Sequence, residues 1–143
     1  MQDGTNHCYG LAFVLLAHAH ALMAGVAEAR AGLDATFALM ERRFWEPNNG
    51  LYADEAAPDW QVGPYRGQNA NMHACEAMLA AHEATGESRF LDRALGLAEA
   101  VTQALANQAG GLVWEHYRVD AHGAWHVDWD YNRDDRTNIF RPW

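Results

Sequence analysis

The chain has 143 residues, 50% of them hydrophobic, a net charge of −9, and 10 basic residues that are all arginine. That length and apolar content suit one globular domain with a real core and exclude a disordered chain. An acidic balance without a basic stripe excludes nucleic acid and anionic membrane as expected partners, and the absence of lysine excludes Schiff-base chemistry on these side chains.

The first residues, Met1-Gln2-Asp3-Gly4-Thr5, have no basic region and do not read as a signal peptide, so a cytoplasmic location is expected. A first helix is predicted over residues 9–24, ended by Gly25. It is apolar all round and approaches the length of a bilayer span. Its alanines, with His18 and His20, argue instead for a helix buried in a core. A second helix over 26–44 is amphipathic: Leu33, Phe37, Met40 and Phe44 recur at helical spacing, while Glu28, Arg30, Asp34, Glu41 and Arg42 meet water. Residues 45–63 form a long connection with a turn at Pro47-Asn48-Asn49-Gly50 and a short strand at 51–53.

A third helix, apolar on most sides, is predicted over 67–85 and ended by Gly86. Ser88 is the expected N-cap of a fourth helix reaching Asn107, with an inner stripe of Leu91, Ala94, Leu95, Ala98, Val101 and Leu105. Gly110-Gly111 turns the chain into a strand over 112–118, and the aromatic, acidic segment 121–138 holds a second short strand at 125–129. Cys8 and Cys75 lie in apolar helices without CxxC spacing and are expected as free, buried thiols.

An offset of 61 residues places Gly25 on Gly86, Gly50 on Gly111, Leu51 on Leu112 and Asp54 on Glu115. Residue identity is otherwise poor, so the repeat is one of architecture: fully apolar helix, glycine, amphipathic helix, turn, short strand. Alternating buried and half-buried helices are what two concentric layers produce. The expected fold class is all-α, an α/α toroid.

The segment Pro64 to Glu76 joins a polar, aromatic loop to the apolar third helix. Asn69 and His73 are four residues apart, so they share a helix face, and polar side chains on a buried helix are costly unless partnered. An isolated pair would be a satisfied core Asn and His. Behind a loop carrying Trp60, Tyr65 and Arg66, they suggest the floor and rim of a pocket for a small polar ligand. His18 and His20 do not share a face and are structural, and His82 suits a helix end. A zinc site among His116, His122 and His126 would want closer, convergent ligands, so no metal is expected. Asp128 and Asp130 share a side if the segment is extended. They are either a glycosidase carboxylate pair or a loop held by carboxylate-to-backbone hydrogen bonds.

Four motifs in order carry a resemblance over essentially the whole chain: Tyr65 to Glu76, Trp114-Glu115-His116-Tyr117, Asp128-Trp129-Asp130-Tyr131-Asn132, and Phe140-Arg141-Pro142-Trp143. They resemble the N-acylglucosamine 2-epimerase family, which includes mannose isomerases, cellobiose epimerases and sulfoquinovose-related isomerases. The resemblance implies an (α/α)6 barrel. Six units of this repeat would take roughly 366 residues, so residues 1–143 are expected to be a single partial domain, the central part of a barrel, with about two helix-hairpin units and short strands in the loops.

The resemblance further implies a monosaccharide substrate and no metal or organic cofactor. The reaction would be aldose–ketose isomerisation such as mannose to fructose, or N-acylglucosamine 2-epimerisation. Histidine acid/base groups would move the C2 proton through an enediolate-like intermediate, with donors and a cation holding the oxygen charge. By this resemblance His73 polarises or hydrogen-bonds the substrate oxygen, with a role in ring opening open to it as well. Asn69 orients hydroxyls, and Tyr9 matches a pocket tyrosine. Arg66 is a substrate contact or a structural loop residue. Glu76 orients the His73 ring or pairs with a distant arginine, and Arg141 clamps a carboxylate.

The family's principal acid/base histidine lies in a Gly-His-x-x-Glu-Trp motif just beyond Phe-Arg-Pro-Trp. That motif, a second catalytic histidine and an N-terminal substrate-binding arginine all fall outside this sequence. The chain is therefore expected to supply one wall of a pocket, without turnover of its own. It would leave inner-helix faces uncovered, with marginal stability and a tendency to associate; family members are often homodimers. Two other readings remain: a glycoside hydrolase on the same toroid using Asp128 and Asp130, and a non-enzymatic protein-binding module, since the family includes proteins described as binding renin.

Overall fold

The computed structural model describes residues 4–131. Asn132, Arg141 and the Phe140-Arg141-Pro142-Trp143 motif lie outside the described residues. The elements run β1 (Asn6–His7), α1 (Cys8–Met23), α2 (Ala29–Arg43), β2 (Trp45–Glu46), β3 (Leu51–Tyr52), β4 (Glu55–Ala56), β5 (Tyr65–Gly67), α3 (Gln68–Thr85), α4 (Ser88–Glu99), a π-helical continuation (Ala100–Leu105), α5 (Ala106–Gln108), β6 (His116–Val119) and β7 (Trp125–Val127). Two helical hairpins, α1–α2 and α3–α4, stand side by side, and the α1–α3 contact is the most extensive between any two elements.

Ala70, Ala74, Ala77 and Ala81 are all buried on α3, and such small side chains permit a close helix approach. Around that contact the core collects Leu33, Met40, Phe44, Tyr52, Met78, Phe90 and Leu97. No helix among the described residues is long and apolar enough to cross a membrane.

The strands pair the entrance of each inner helix with the loop that follows its own hairpin. β5 pairs antiparallel with β6 and β6 with β7, while β1 pairs with β4 and β2 with β3. The repeat is visible in this wiring. The Cys8 N–H donates to the Asp54 carbonyl at 2.8 Å, and the Gln68 N–H donates to the Glu115 carbonyl at 3.1 Å. Each inner helix thus begins where an orphan first-turn amide meets the loop that follows its own hairpin. Asp54 and Glu115 correspond at an offset of 61, and the helix starts Cys8 and Gln68 at 60, so the repeat is of structure with one residue of slack.

Asn71, fully buried, locks β3 to α3. Its Oδ1 accepts the Tyr52 N–H at 2.7 Å, and its Nδ2 donates to the Tyr52 carbonyl at 2.9 Å and the Gly67 carbonyl at 3.1 Å. A buried amide with its donors and acceptor engaged satisfies the desolvation requirement that an unpaired one would violate.

Three expectations differ from what is observed. First, α1 is not buried all round: Cys8, Ala12, Leu15 and Ala19 are buried, but Tyr9, Phe13, Val14 and Met23 are exposed. Second, the buried stripe of the fourth helix is Phe90, Ala94, Leu97, Val101 and Leu105, whereas Leu91 and Leu95 are exposed. Spacings of four, three, four and four favour Phe90 and Leu97, which pack with α3 and α2. Third, Ser88 is the first helical residue and not the cap. The N-cap position is Glu87 with no side-chain cap bond. The last turn of α3 does the holding instead: Thr85 Oγ1 accepts the Glu87 N–H at 3.2 Å, and His82 Nδ1 bonds the Glu87 carbonyl at 3.0 Å.

Gly86 ends α3 in the left-handed region at φ 73°, with its N–H on the His82 carbonyl at 2.7 Å. Gly86→Ala is expected to lower stability by about 1–2 kcal/mol, read from the midpoint of a urea melt. An unchanged midpoint would contradict the assignment.

Candidate functional site

The pocket candidates come together at the N-terminal ends of α1 and α3. Tyr9 and Asn69 are the second residues of their helices, and Phe13 and His73 stand one turn on. At the 60-residue offset of the helix starts, Tyr9 corresponds to Asn69 and Phe13 to His73. The four side chains are therefore two equivalent pairs on adjacent inner helices. Their rings form a line: His7 to Tyr9 at 5.4 Å, Tyr9 to Phe13 edge-on at 6.5 Å, and Phe13 to His73 at 4.6 Å between centroids. Tyr9 is exposed, while Asn69 and His73 are half-buried.

The Asn69 side chain makes no hydrogen bond among the described residues. His73 Nδ1 faces Glu76 Oε2 at 3.4 Å, which leaves Nε2 as the nitrogen without a protein partner among the described residues. A carboxylate on one ring nitrogen fixes the tautomer and orients the other.

Behind this line lies an acidic, aromatic layer built by β5–β6 pairing, in which Gly67 lies opposite His116 and Tyr65 opposite Arg118. That pairing brings the Trp114-Glu115-His116-Tyr117 motif to the entrance of α3. The Tyr65 hydroxyl and His116 Nδ1 are 2.9 Å apart, and the His116 ring stacks on Tyr131 at 4.1 Å. Burial lowers the His116 pKa and favours the neutral imidazole, against the pull of Glu115 and Asp128. Burial, reinforced by Asp54 and Glu115, raises the Tyr65 phenol. Gln68 Nε2 donates to Glu115 Oε2 at 2.9 Å.

Asp54 belongs to the same layer. Its carboxylate accepts the Gly67 N–H at 2.5 Å. Burial pushes its pKa up to about 8, abetted by Glu115 and Glu55 and opposed by the Gly67 amide and Arg66. A Cβ on residue 67 would stand 2.8 Å from both Asp54 Oδ1 and the Tyr65 hydroxyl, so only glycine fits this close approach.

Folded Asp54 keeps its proton up to about pH 8, against an ordinary value of 3.8. Folding therefore takes up a proton between these values, and this group's stabilisation, full at low pH, is lost as pH rises through the folded value. Asp54→Asn, which retains an oxygen for the Gly67 amide, is expected to flatten the loss of thermal stability between about pH 5 and about pH 8. Equal slopes for variant and wild type would refute the assignment.

Arg66 is buried, and its guanidinium is engaged on several sides. It forms a two-point pair with Glu46 (Nε to Oε2 3.1 Å, Nη2 to Oε1 2.5 Å), and Nη1 donates to the carbonyls of Gly63 and Tyr65. Glu46 Oε2 also accepts the Trp125 indole N–H at 2.7 Å. Trp60 packs on Phe44 and under the Arg43 guanidinium, at the end of α2. Asp128 Oδ1 accepts the Asp130 N–H at 3.1 Å, the loop-holding arrangement. Among the described residues no group of three His, Cys, Asp or Glu is placed to hold a metal ion. Cys8 and Cys75 are both free, Cys8 buried and Cys75 half-buried.

Sequence reasoning did not single out Phe13, Asn71 or a role for Asp54. The signal for Phe13 was present: the repeat, applied at the helix starts, sets it on His73.

A family model described as N-acylglucosamine 2-epimerase (GlcNAc 2-epimerase) matches residues 1–143. A D-mannose isomerase of Marinomonas mediterranea is 51% identical over 143 residues, covering 99% of this chain and 35% of its own length. A crystal structure of a D-mannose isomerase matches with TM-score 0.88 and 50% identity, covering 97% of this chain and 35% of that one. The structure of a cellobiose 2-epimerase from Spirochaeta thermophila shares the fold at TM-score 0.69 and 21% identity, over 87% of this chain and 33% of its own. The chain thus spans about a third of the length of these relatives. Its two hairpins are part of an (α/α)6 barrel, and the chain belongs to the N-acylglucosamine 2-epimerase family.

Proposed function

We propose that this chain forms one wall of the pocket of a sugar isomerase that interconverts a free aldose and its ketose, with D-mannose and D-fructose as the favoured pair. The observation that carries the reading is the pairing of Asn69 and His73 on one half-buried strip of an inner-helix N-terminus. Asn69 has no protein partner among the described residues, and His73 presents a free Nε2. Half-buried polar groups held without protein partners suit a hydroxylated ligand that replaces water. The similarity to a D-mannose isomerase favours mannose over an N-acylhexosamine.

In this reading His73 acts as the imidazolium: Nδ1–H donates to Glu76 and Nε2–H to the substrate oxygen at C1 or C2, where charge develops as the C2 proton leaves. Asn69 offers both a donor and an acceptor to adjacent hydroxyls, and Tyr9 closes the same side. Arg66, anchored on Glu46, supports the loop and does not reach the sugar. The groups that take and return the C2 proton belong to the part of the pocket that this third of the barrel does not supply.

The test is a graft. Residues 1–143 replace the matching third of the Marinomonas isomerase, and the folded product is assayed on D-mannose and on N-acetylglucosamine. Fructose formation from mannose supports the reading. Epimerisation of N-acetylglucosamine alone would move the substrate class, and a folded graft inert to both sugars would overturn the proposal. The 143-residue chain by itself is expected to show no turnover, and fructose produced by it would contradict the one-wall assignment.

A further inference from the structure

Phe13 is a large aromatic side chain left 46% exposed at the N-terminal end of an inner helix. Its ring centroid is 4.6 Å from that of His73 at an interplanar angle of 44°, and Tyr9 meets it edge-on at 87°. His73 is therefore constrained twice. Glu76 faces Nδ1 at 3.4 Å and keeps that nitrogen protonated, but a single long contact leaves the ring loosely held about its Cβ–Cγ bond. The Phe13 ring removes that freedom by lying against the ring. The two residues are equivalent positions of the structural repeat, so the inner-helix packing that brings α1 onto α3 also sets the distance between them.

We propose that Phe13 is a positioning residue for His73, holding the imidazole so that Nε2 is aimed at the substrate oxygen; this rests on the isomerase reading given above. Phe13 itself donates nothing to the sugar. Its effect falls on the step that needs His73 aligned, not on ground-state binding, and misalignment of a catalytic donor by about 1 Å is enough to cost up to about a hundredfold in rate.

The test uses the graft with Phe13→Leu, Phe13→Tyr and His73→Ala. Phe13→Leu keeps an apolar side chain at the position and should fold, which circular dichroism checks. Phe13→Leu is expected to lower kcat by about 10- to 100-fold while KM stays within about twofold, and Phe13→Tyr, which keeps the ring, should restore most of kcat. Added to His73→Ala, Phe13→Leu should cost little more, since its effect passes through His73. A full additional loss in the double variant, or a change in KM alone, would overturn the proposal.

A graft inert on both sugars would bring down the isomerase reading instead. The His73 imidazole proton resonances of the folded graft then read the contact by itself. A shift in Phe13→Leu that Phe13→Tyr does not show supports the positioning contact, and no shift in either overturns it.

Discussion

Replacing His73 by Ala in the grafted isomerase is expected to lower kcat/KM for D-mannose by about 10²–10³-fold. The loss follows from what Nε2 is placed to do. With Nδ1–H on Glu76, the imidazolium has one N–H left for the substrate, and a donor aimed at an oxygen that gains charge counts for more in the transition state than in the ground state. The fall should therefore sit mainly in kcat. His73→Gln, which keeps an N–H of similar reach, should recover part of it. The substitution removes a half-buried side chain packed on Phe13, so its cost in stability should stay below about 2 kcal/mol. Wild-type turnover in His73→Ala would remove His73 from the mechanism, whatever the substrate.

Arg66→Ala is expected to act in the opposite way, on folding and not on substrate. Truncation leaves Glu46 without its two-point partner and frees the Gly63 and Tyr65 carbonyls. Breaking a buried ion pair from one side costs about 3–5 kcal/mol. The Glu46 side chain retains 24% exposure and the Trp125 indole bond, which places the loss at the lower end of that range. For a domain of this size it should appear as a fall of about 10 °C or more in Tm. In the graft, whatever folded Arg66→Ala protein remains at low temperature should keep its KM for mannose. A variant of normal stability with a raised KM would instead assign Arg66 to the sugar.

The two outcomes separate what the sequence made legible from what it did not. Asn69 and His73 could be paired from spacing alone, because helical geometry fixes the angle between residues four apart. Arg66 stood open between two roles. Deciding which anion it meets required knowing where Glu46, twenty residues back, arrives in space. Asp54 was noticed only as the repeat mate of Glu115. Its protonation at neutral pH comes from burial beneath Gly67 and beside two further carboxylates, an environment gathered from three loops.

The stripe of the fourth helix shows the same division at a finer scale. Leu91 and Leu95 fit an apolar period as well as Phe90 and Leu97 do, and a helix with apolar residues on two sides does not say which side meets the core. The docking of α4 on α3 buried Phe90 and Leu97 and left Leu91 and Leu95 exposed. The exposed flank of α1 has a related origin. Hydrophobicity all round a helix states how many neighbours it can accept, and only the packing states how many are present.

By itself, then, the sequence determined the four main helices, the glycines that end them, the repeat of two hairpins and the face shared by Asn69 and His73. These are local properties, set by backbone sterics and by periodicity within a few turns. The tertiary structure decided the rest. It brought β5 onto β6 across some fifty residues, closed Arg66 onto Glu46, raised Asp54 and laid Phe13 against His73. Each of these depends on a distance between segments remote in the chain, and the burial and Coulomb energies that govern them vary with that distance and not with sequence separation.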